Sequence, residues 1–163
     1  MTKLFEFATG SNTSEGTATM ETVADILERE LQPMIEEWLL RVEKEAELTA
    51  IPLSHDERTG HLPYLMNDVI TRLKLDVGTK APISKAAGRH GLLRHEQGYT
   101  VVLLVEESRL LQVSIFTTLH NNANHVEFSA LLPDVVTIAD EVDAQLKEQM
   151  LRFMAADDAE KGK

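Results

Sequence analysis

The segment 62–73, whose sequence is LPYLMNDVITRL, carries the clearest helical pattern in the chain. Its apolar side chains recur at steps of three and four residues, which places them on one face of an α-helix. A capping-box pattern, Ser54-His-Asp-Glu57, lies just before it, and Gly60 and Pro63 are expected to bend the first turns. The sequence therefore predicts a helix behind Ser54 with a core-facing stripe of Leu62, Leu65, Met66, Val69, Ile70 and Leu73.

Similar spacing recurs on both sides of this segment. Residues 21–48 repeat it, although Pro33 must either kink that helix or begin a second one, because proline lacks the backbone donor. Residues 83–96 form a further predicted helix that ends at Gly98. Thr100 is the expected cap of a helix that runs to about His120, although its first five residues are apolar enough for a buried strand.

A long last helix is predicted from Pro133 onward, where apolar residues again follow the helical spacing. No stretch shows a sustained alternation of apolar and polar residues, which is the pattern of a half-buried strand. The chain is therefore predicted to be all-α, a single helical bundle of five or six helices with a long C-terminal helix. The stripe of the last helix consists of Val135, Ile138, Val142, Leu146 and then Met150 or Phe153.

Length, charge and cysteine content limit the function classes. A chain of 163 residues is long enough for one domain with a substantial core. Its 16 basic and 27 acidic residues give a net charge of −11, which would repel nucleic-acid phosphates, so a nucleic-acid partner is not expected. The absence of cysteine excludes disulfides, thiolate zinc sites, iron–sulfur clusters and a cysteine nucleophile.

Both ends of the sequence are predicted to be flexible tails. Residues 1–19 are largely small and polar and residues 155–163 are solvated, which leaves residues 20–154 as the folded helical domain. The longest strongly apolar run, residues 101–105, is too short for a secretory signal or a membrane span. A cytoplasmic protein without a membrane span is the expectation.

The sequence offers no catalytic or metal-binding motif. Its six histidines are never three or four residues apart, so no pair of them shares a helix face as metal ligands do. Nucleophile-elbow, phosphate-loop and dinucleotide motifs are absent too, so we expect neither an enzyme nor a cofactor. The histidines are interpreted as surface or capping residues, with the alternative that His61 or His90 lines a small-molecule pocket.

Two acidic residues interrupt the apolar helix that follows Thr100. A buried carboxylate is tolerated only when it is paired, so burial of Glu106 or Glu107 predicts a cationic partner, Arg94 or Arg89. Such a pair either fixes the register of two helices or lies in a ligand cavity. Gly88 and Gly91 predict either the close approach of a neighbouring helix or a ligand against exposed backbone.

The run 87–100, AGRHGLLRHEQGYT, together with 105–111, VEESRLL, resembles a known family. This family is the helical N-terminal domain of RsbRD-type co-antagonists of the stressosome, and the same domain also precedes bacterial sensor histidine kinases. The chain departs from the family pattern at Ser108, where relatives often carry an aromatic residue. The positions that carry the resemblance are His90, Gly91, Arg94, Gly98, Tyr99, Glu107, Arg109 and Leu110, with His61-Leu-Pro63 upstream.

This resemblance implies a sensory input domain of a bacterial two-component or stressosome-type signalling protein, rather than an enzyme. Because the apolar stripe of the last helix runs nearly to the C-terminus, this helix either carries the signal to a downstream signalling domain or a protein partner, or it only closes the bundle. A homodimer through this helix is a related hypothesis. The alternative is a helical bundle that binds a small molecule or cofactor for its own sake. The candidate ligand-binding or switch residues are His61, His90, Arg94, Tyr99 and Glu107, of which Arg94 and Glu107 are the candidate ion pair.

Overall fold

A computed structural model describes residues 19–162 of the chain. The described residues form α-helices joined by short connections, with one isolated parallel bridge between Glu21 and Val126 and no strand. The all-α prediction is confirmed. The elements are α1 (Val23–Arg29), α2 (Leu31–Val42), α3 (Ala46–Thr49), α4 (His55–Thr59), α5 (Leu62–Leu73), α6 (Lys85–Glu96), α7 (Val101–Asn121), a 3₁₀ turn (Ala123–His125) and α8 (Phe128–Lys161).

The helix count exceeds the predicted five or six because two predicted helices are divided. Residues 21–48 form α1, α2 and the single turn α3, and the first break falls at Glu30, three residues before Pro33. The capping box at Ser54 is present, but it starts the short helix α4, which ends at Gly60. Residues 101–105 are helical, with the Thr100 hydroxyl accepting from the amide of Leu103.

The last helix is longer than the sequence indicates at both ends. It begins at Phe128, so that Pro133 lies inside it, and it continues through Lys161. Residues 155–161, predicted as part of a flexible tail, are therefore helical, and the side chain of Lys161 binds Asp157 one turn earlier. The predicted tail of residues 1–19 lies outside the described residues except for Thr19.

The core is a continuous cluster of apolar side chains from all the longer helices. The predicted stripe of α5 faces it, with Leu62, Leu65, Met66 and Val69 at most 2% exposed. Trp38 of α2 is a fully buried member of this core. No helix in residues 19–162 combines the length and the apolar character needed to cross a membrane.

The helices α6 and α8 pack most closely at Gly91. A Cβ atom at Gly91 would overlap the carbonyl oxygen of Gln149 and lie 2.8 Å from its carbonyl carbon. At Gly88 the added atom would meet only side-chain atoms of Glu148 and Arg152, at 3.3 and 3.5 Å. Of the two predictions for these glycines, the structure shows the close approach of a helix.

Candidate functional site

The carboxylate of Glu107 lies in the interior of the bundle and is only 4% exposed. Arg94, which is fully buried, donates from Nε to Oε2 at 3.0 Å, and its Nη2 lies 3.0 Å from Oε1 as an ion-pair contact. The Tyr99 hydroxyl donates to Oε1 at 2.8 Å, and His90 Nε2 lies 3.3 Å from Oε2. The predicted ion pair between Arg94 and Glu107 is therefore present, with two further polar groups on the same carboxylate.

The turn between α6 and α7 brings these groups together. Gly98 has a φ of +81°, and the amides of Gly98 and Tyr99 donate to the carbonyls of His95 and Arg94. This pair of backbone hydrogen bonds ends a helix and reverses the chain. The residue with the left-handed backbone conformation, here Gly98, is usually glycine. Arg94 in the last turn of α6 thereby faces Glu107 in the second turn of α7.

Arg94 and Arg58 also satisfy the ends of the two shortest helices. Arg94 donates to the carbonyls of Glu57 and Arg58 at 3.1 and 3.0 Å, at the end of α4. Arg58 donates to the carbonyl of Ile51 at 2.8 Å, just beyond α3, and to the Tyr99 hydroxyl at 3.3 Å. Terminal carbonyls of a helix lack partners within it, so the guanidinium groups hold α3 and α4 to α6 and α7.

Two stacked histidines complete the cluster. The rings of His61 and His90 lie 3.6 Å apart with 11° between their planes, and Trp38 meets His61 edge-on at 5.8 Å. The Nδ1 atoms of both histidines are buried and have no hydrogen-bond partner among the described residues. Because His90 Nε2 faces a carboxylate, that nitrogen carries the proton and Nδ1 remains an open acceptor. We call the six residues Arg58, His61, His90, Arg94, Tyr99 and Glu107 the Glu107 cluster.

The surroundings set the ionisation of the cluster. Burial lowers the pKa of His61 well below its ordinary value, and His90 and Arg94 lower it further. Burial also lowers the pKa of His90, and the bond to Glu107 opposes that change only in part. Burial raises the pKa of Glu107, but His90, Arg94 and Tyr99 outweigh it, so the net shift is downward. The cluster therefore holds an ionised carboxylate beside two neutral imidazoles at neutral pH.

The possible ligand atoms of His61, His90 and Glu107 lie within 4.8 Å of one another. A metal ion needs ring nitrogens whose lone pairs converge on one point, whereas the lone pairs of two parallel stacked rings point side by side. Both Glu107 oxygens also already accept hydrogen bonds, Oε2 from Arg94 and Oε1 from Tyr99, and the charge of Arg94 opposes a cation. This arrangement therefore fits a metal poorly without movement of the rings.

Two spaces adjoin the histidines. A surface groove of about 610 Å³ between α4, the start of α5 and α6 reaches both rings and is also lined by Tyr64 and Arg89. A second, small space of about 10 Å³ is bounded by the two histidines, Glu107, Gln145 and Gln149, among others. Apolar side chains, including those of Trp38 and Val142, complete its walls, and it is about the size that one water molecule requires.

All five candidate residues lie together in the Glu107 cluster, and the structure decides between the alternatives left open for the buried pair. Arg89, the alternative cation, is exposed and lines the groove, while Glu106 pairs with Arg109 at 2.9 Å on the surface. Sequence reasoning missed Arg58, because a charged residue after a capping box is typical of a solvated helix face. It also missed the indole of Trp38, which donates to the backbone carbonyl of Glu107 at 3.2 Å.

No protein-family model, curated protein or solved structure matches this chain.

Proposed function

We propose that the chain is a sensory input domain of a bacterial signalling protein, in which the Glu107 cluster is the switch and α8 is the output. The cluster itself is the observation that carries the proposal. Buried ion pairs contribute little net stability compared with apolar packing, because desolvation of the charges offsets their attraction. Buried groups with shifted pKa values are correspondingly enriched at functional sites. A role beyond stability accounts for an ionised carboxylate beside two neutral histidines whose Nδ1 atoms have no hydrogen-bond partner among the described residues.

The contacts between α6, α7 and α8 support a route from the cluster to the output helix. Gln145 and Gln149 of α8 border the same small space as His90 and Glu107. Gly91 follows His90 directly and lies against the backbone of Gln149. A change in the position of His90 or Arg94 would therefore move α6 against α8, and close-packed helices respond to such a change by shifting as units.

The sequence resemblance gives this proposal its biological form. The chain would be the N-terminal part of a sensor histidine kinase or of a stressosome-type regulator, and it would act in the cytoplasm. Its partners would be a downstream signalling domain or protein and a second copy of the chain. The proposed domain performs no catalysis itself.

A titration followed by ¹H–¹⁵N nuclear magnetic resonance tests the coupling. Between about pH 7.5 and 5, we expect amide signals of residues 145–153 to shift with the same midpoint as the ring signals of His90. His90→Gln should abolish these shifts, whereas His120→Gln, at an exposed position, should leave them. Shifts that remain confined to α4, α5 and the α6–α7 turn would contradict the proposed route.

A helical bundle that binds a small molecule for its own sake is the second candidate, and the groove above His61 and His90 favours it. Its prediction is a stoichiometric ligand, visible in native mass spectrometry, in the absorption spectrum or in metal analysis of the purified protein. The input-domain proposal predicts a colourless protein whose native mass is a whole multiple of the mass of the chain, with nothing else bound. A tightly bound chromophore or metal would favour the second candidate.

A further inference from the structure

One flank of α8 is apolar and exposed along most of its length. Its residues recur in steps of four, three and four, so that Phe128, Ala139 and Met150 are each eleven residues apart. An 11-residue repeat, at 3.67 residues per turn, keeps such a stripe on one side of a nearly straight helix. We call the outward-facing part of this flank the α8 stripe. It consists of Leu132, Val136, Ala139, Asp143, Leu146, Lys147, Met150, Leu151 and Met154, of which Ala139, Leu146 and Met150 are partly buried.

Several members of the α8 stripe are exposed although their side chains are large and apolar. Leu132 is 68% exposed, Val136 62%, Leu151 54% and Met154 52%. Single exposed apolar residues are ordinary, but a contiguous row is typical of a surface that binds a partner. A shallow hollow of about 320 Å³ lies on the C-terminal half of the stripe, between Asp143 and Met154.

The two charged residues of the stripe lie at its centre. Asp143 and Lys147 are one helical turn apart and both line the hollow. The ion pairs of α8 among the described residues, both within the helix and with α5 and α6, use other acidic and basic residues, and none uses Asp143 or Lys147. A partner on this surface would therefore need one positive and one negative group at a matching spacing.

We propose that the partner is a second copy of this chain, bound antiparallel through the α8 stripe, with the two-fold axis crossing the outer flank of α8 at the level of residue 145. This axis pairs Asp143 with Lys147 of the second copy, twice by symmetry, because a two-fold interface uses the same patch on both subunits. It also places Val136 of one copy against Met154 of the other, so that the smaller residues of the N-terminal half enter the hollow of the C-terminal half. A parallel pair would instead place Asp143 against Asp143 and Lys147 against Lys147, and like charges in contact disfavour association.

This inference deepens the partner part of the proposed function, but the two can fail separately. The dimer depends on the outer flank of α8, whereas the route from the Glu107 cluster uses Gln145 and Gln149, which are buried on its inner face. If the chain is a monomer, the dimer proposal is wrong. The coupling between α6 and α8 is tested separately, by the pH titration described above.

Charge reversal tests the pairing. Light scattering of the purified chain at about 100 µM should give twice the mass of one chain. Asp143→Lys and Lys147→Asp should each raise the dimer dissociation constant at least about tenfold, and the double variant should restore it. The proposal would be overturned if the unmodified protein had the mass of one chain. It would also be overturned if the dimer dissociation constant of the double variant were as high as those of the single variants. The exposed sites leave the fold intact, which circular dichroism would verify.

Cysteine cross-linking tests the direction, and the chain has no cysteine of its own. A mixture of Val136→Cys and Met154→Cys chains should form disulfide-linked pairs that contain one chain of each kind. Either variant alone should cross-link poorly, because an antiparallel pair holds identical positions about 27 Å apart along the axis. Efficient cross-linking of Val136→Cys with itself would show a parallel pair, and a dimer that cross-links in no combination would show that another surface forms it.

Discussion

At the scale of single residues, the cluster depends on the negative charge of Glu107. Its carboxylate is the only negative partner within ion-pairing distance of Arg94 among the described residues, and Arg94 is fully buried. Removing the negative charge would leave a buried guanidinium without compensation, which costs far more than the intact pair contributes. Glu106, one position earlier, provides a natural comparison because its partner Arg109 is exposed.

We therefore expect Glu107→Gln to lower the free energy of unfolding by about 3 kcal/mol, because the amide keeps the shape of the side chain but not its charge. Glu106→Gln should change it by less than about 0.5 kcal/mol, as is usual for a surface substitution. Urea unfolding of the two variants and the parent chain measures both values. Equal effects at the two positions would contradict the burial of Glu107.

The stacked histidines predict a loss of stability in mild acid. Both have a pKa below the ordinary value of 6.5 in the folded state, so the unfolded chain binds protons first as the pH falls. Their contribution is complete above about pH 6.5 and declines by up to about 1.4 kcal/mol per pH unit for each histidine below it. Once the pH is below the folded-state pKa, this contribution is lost entirely.

Unfolding measured between about pH 7.5 and 5 should therefore show a steeper decline for the parent chain than for the double variant His61→Gln, His90→Gln. His120→Gln serves as the control, since this histidine is exposed and should leave the slope unchanged. The same slope in the parent and the double variant would show that neither buried ring titrates as its surroundings indicate.

At the scale of helices, the contact between α6 and α8 is set by one missing Cβ atom. Gly91→Ala should destabilise the protein by about 1–3 kcal/mol, because the added atom overlaps the backbone of Gln149 and one helix must move. Gly88→Ala is the matched substitution three residues earlier. Its new atom meets only flexible side chains, so the gain in helix propensity of up to about 1 kcal/mol should offset the contact. Thermal unfolding distinguishes the two, and a Gly91→Ala variant as stable as Gly88→Ala would contradict this close approach.

Helix positions could be predicted where the pattern is local, and helix boundaries could not where tertiary contacts decide them. The stripe of α5 and the caps at Ser54 and Thr100 depend on neighbouring residues alone, and all three are present. By contrast, the end of α3 and the separation of α4 from α5 depend on carbonyls that Arg58 and Arg94 satisfy from a distance in sequence.

The candidate site was predictable to the same extent. The need of Glu107 for a cation follows from one apolar helix, and Arg94 is close to it in sequence. The stacking of His61 on His90 is different, because these residues lie on separate helices and 29 positions apart. Spacing along one helix, which is what excludes a histidine pair in the sequence, carries no information about such a contact.

At the scale of the whole molecule, the chain is a helical bundle in which the buried Glu107 cluster adjoins the longest helix. Five helical elements meet in the Glu107 cluster: α3 and α4 through their carbonyls, α5 through the His61 at its start, and α6 and α7 through their side chains. The inner face of α8 borders this cluster, and its outer flank carries the α8 stripe. An input at the cluster and an output along α8 would therefore be separated by the width of one helix.

Hydrogen–deuterium exchange of α8 tests this coupling most directly. Glu107→Gln should accelerate amide exchange in residues 145–157 more than Val42→Ala does, since Val42 is a core residue of α2 outside the cluster. The comparison removes the general effect of lower stability, provided that the two variants have similar free energies of unfolding. Faster exchange of this part of α8 in Glu107→Gln alone is the predicted result, and identical exchange in the two variants would contradict the role of the cluster as a switch.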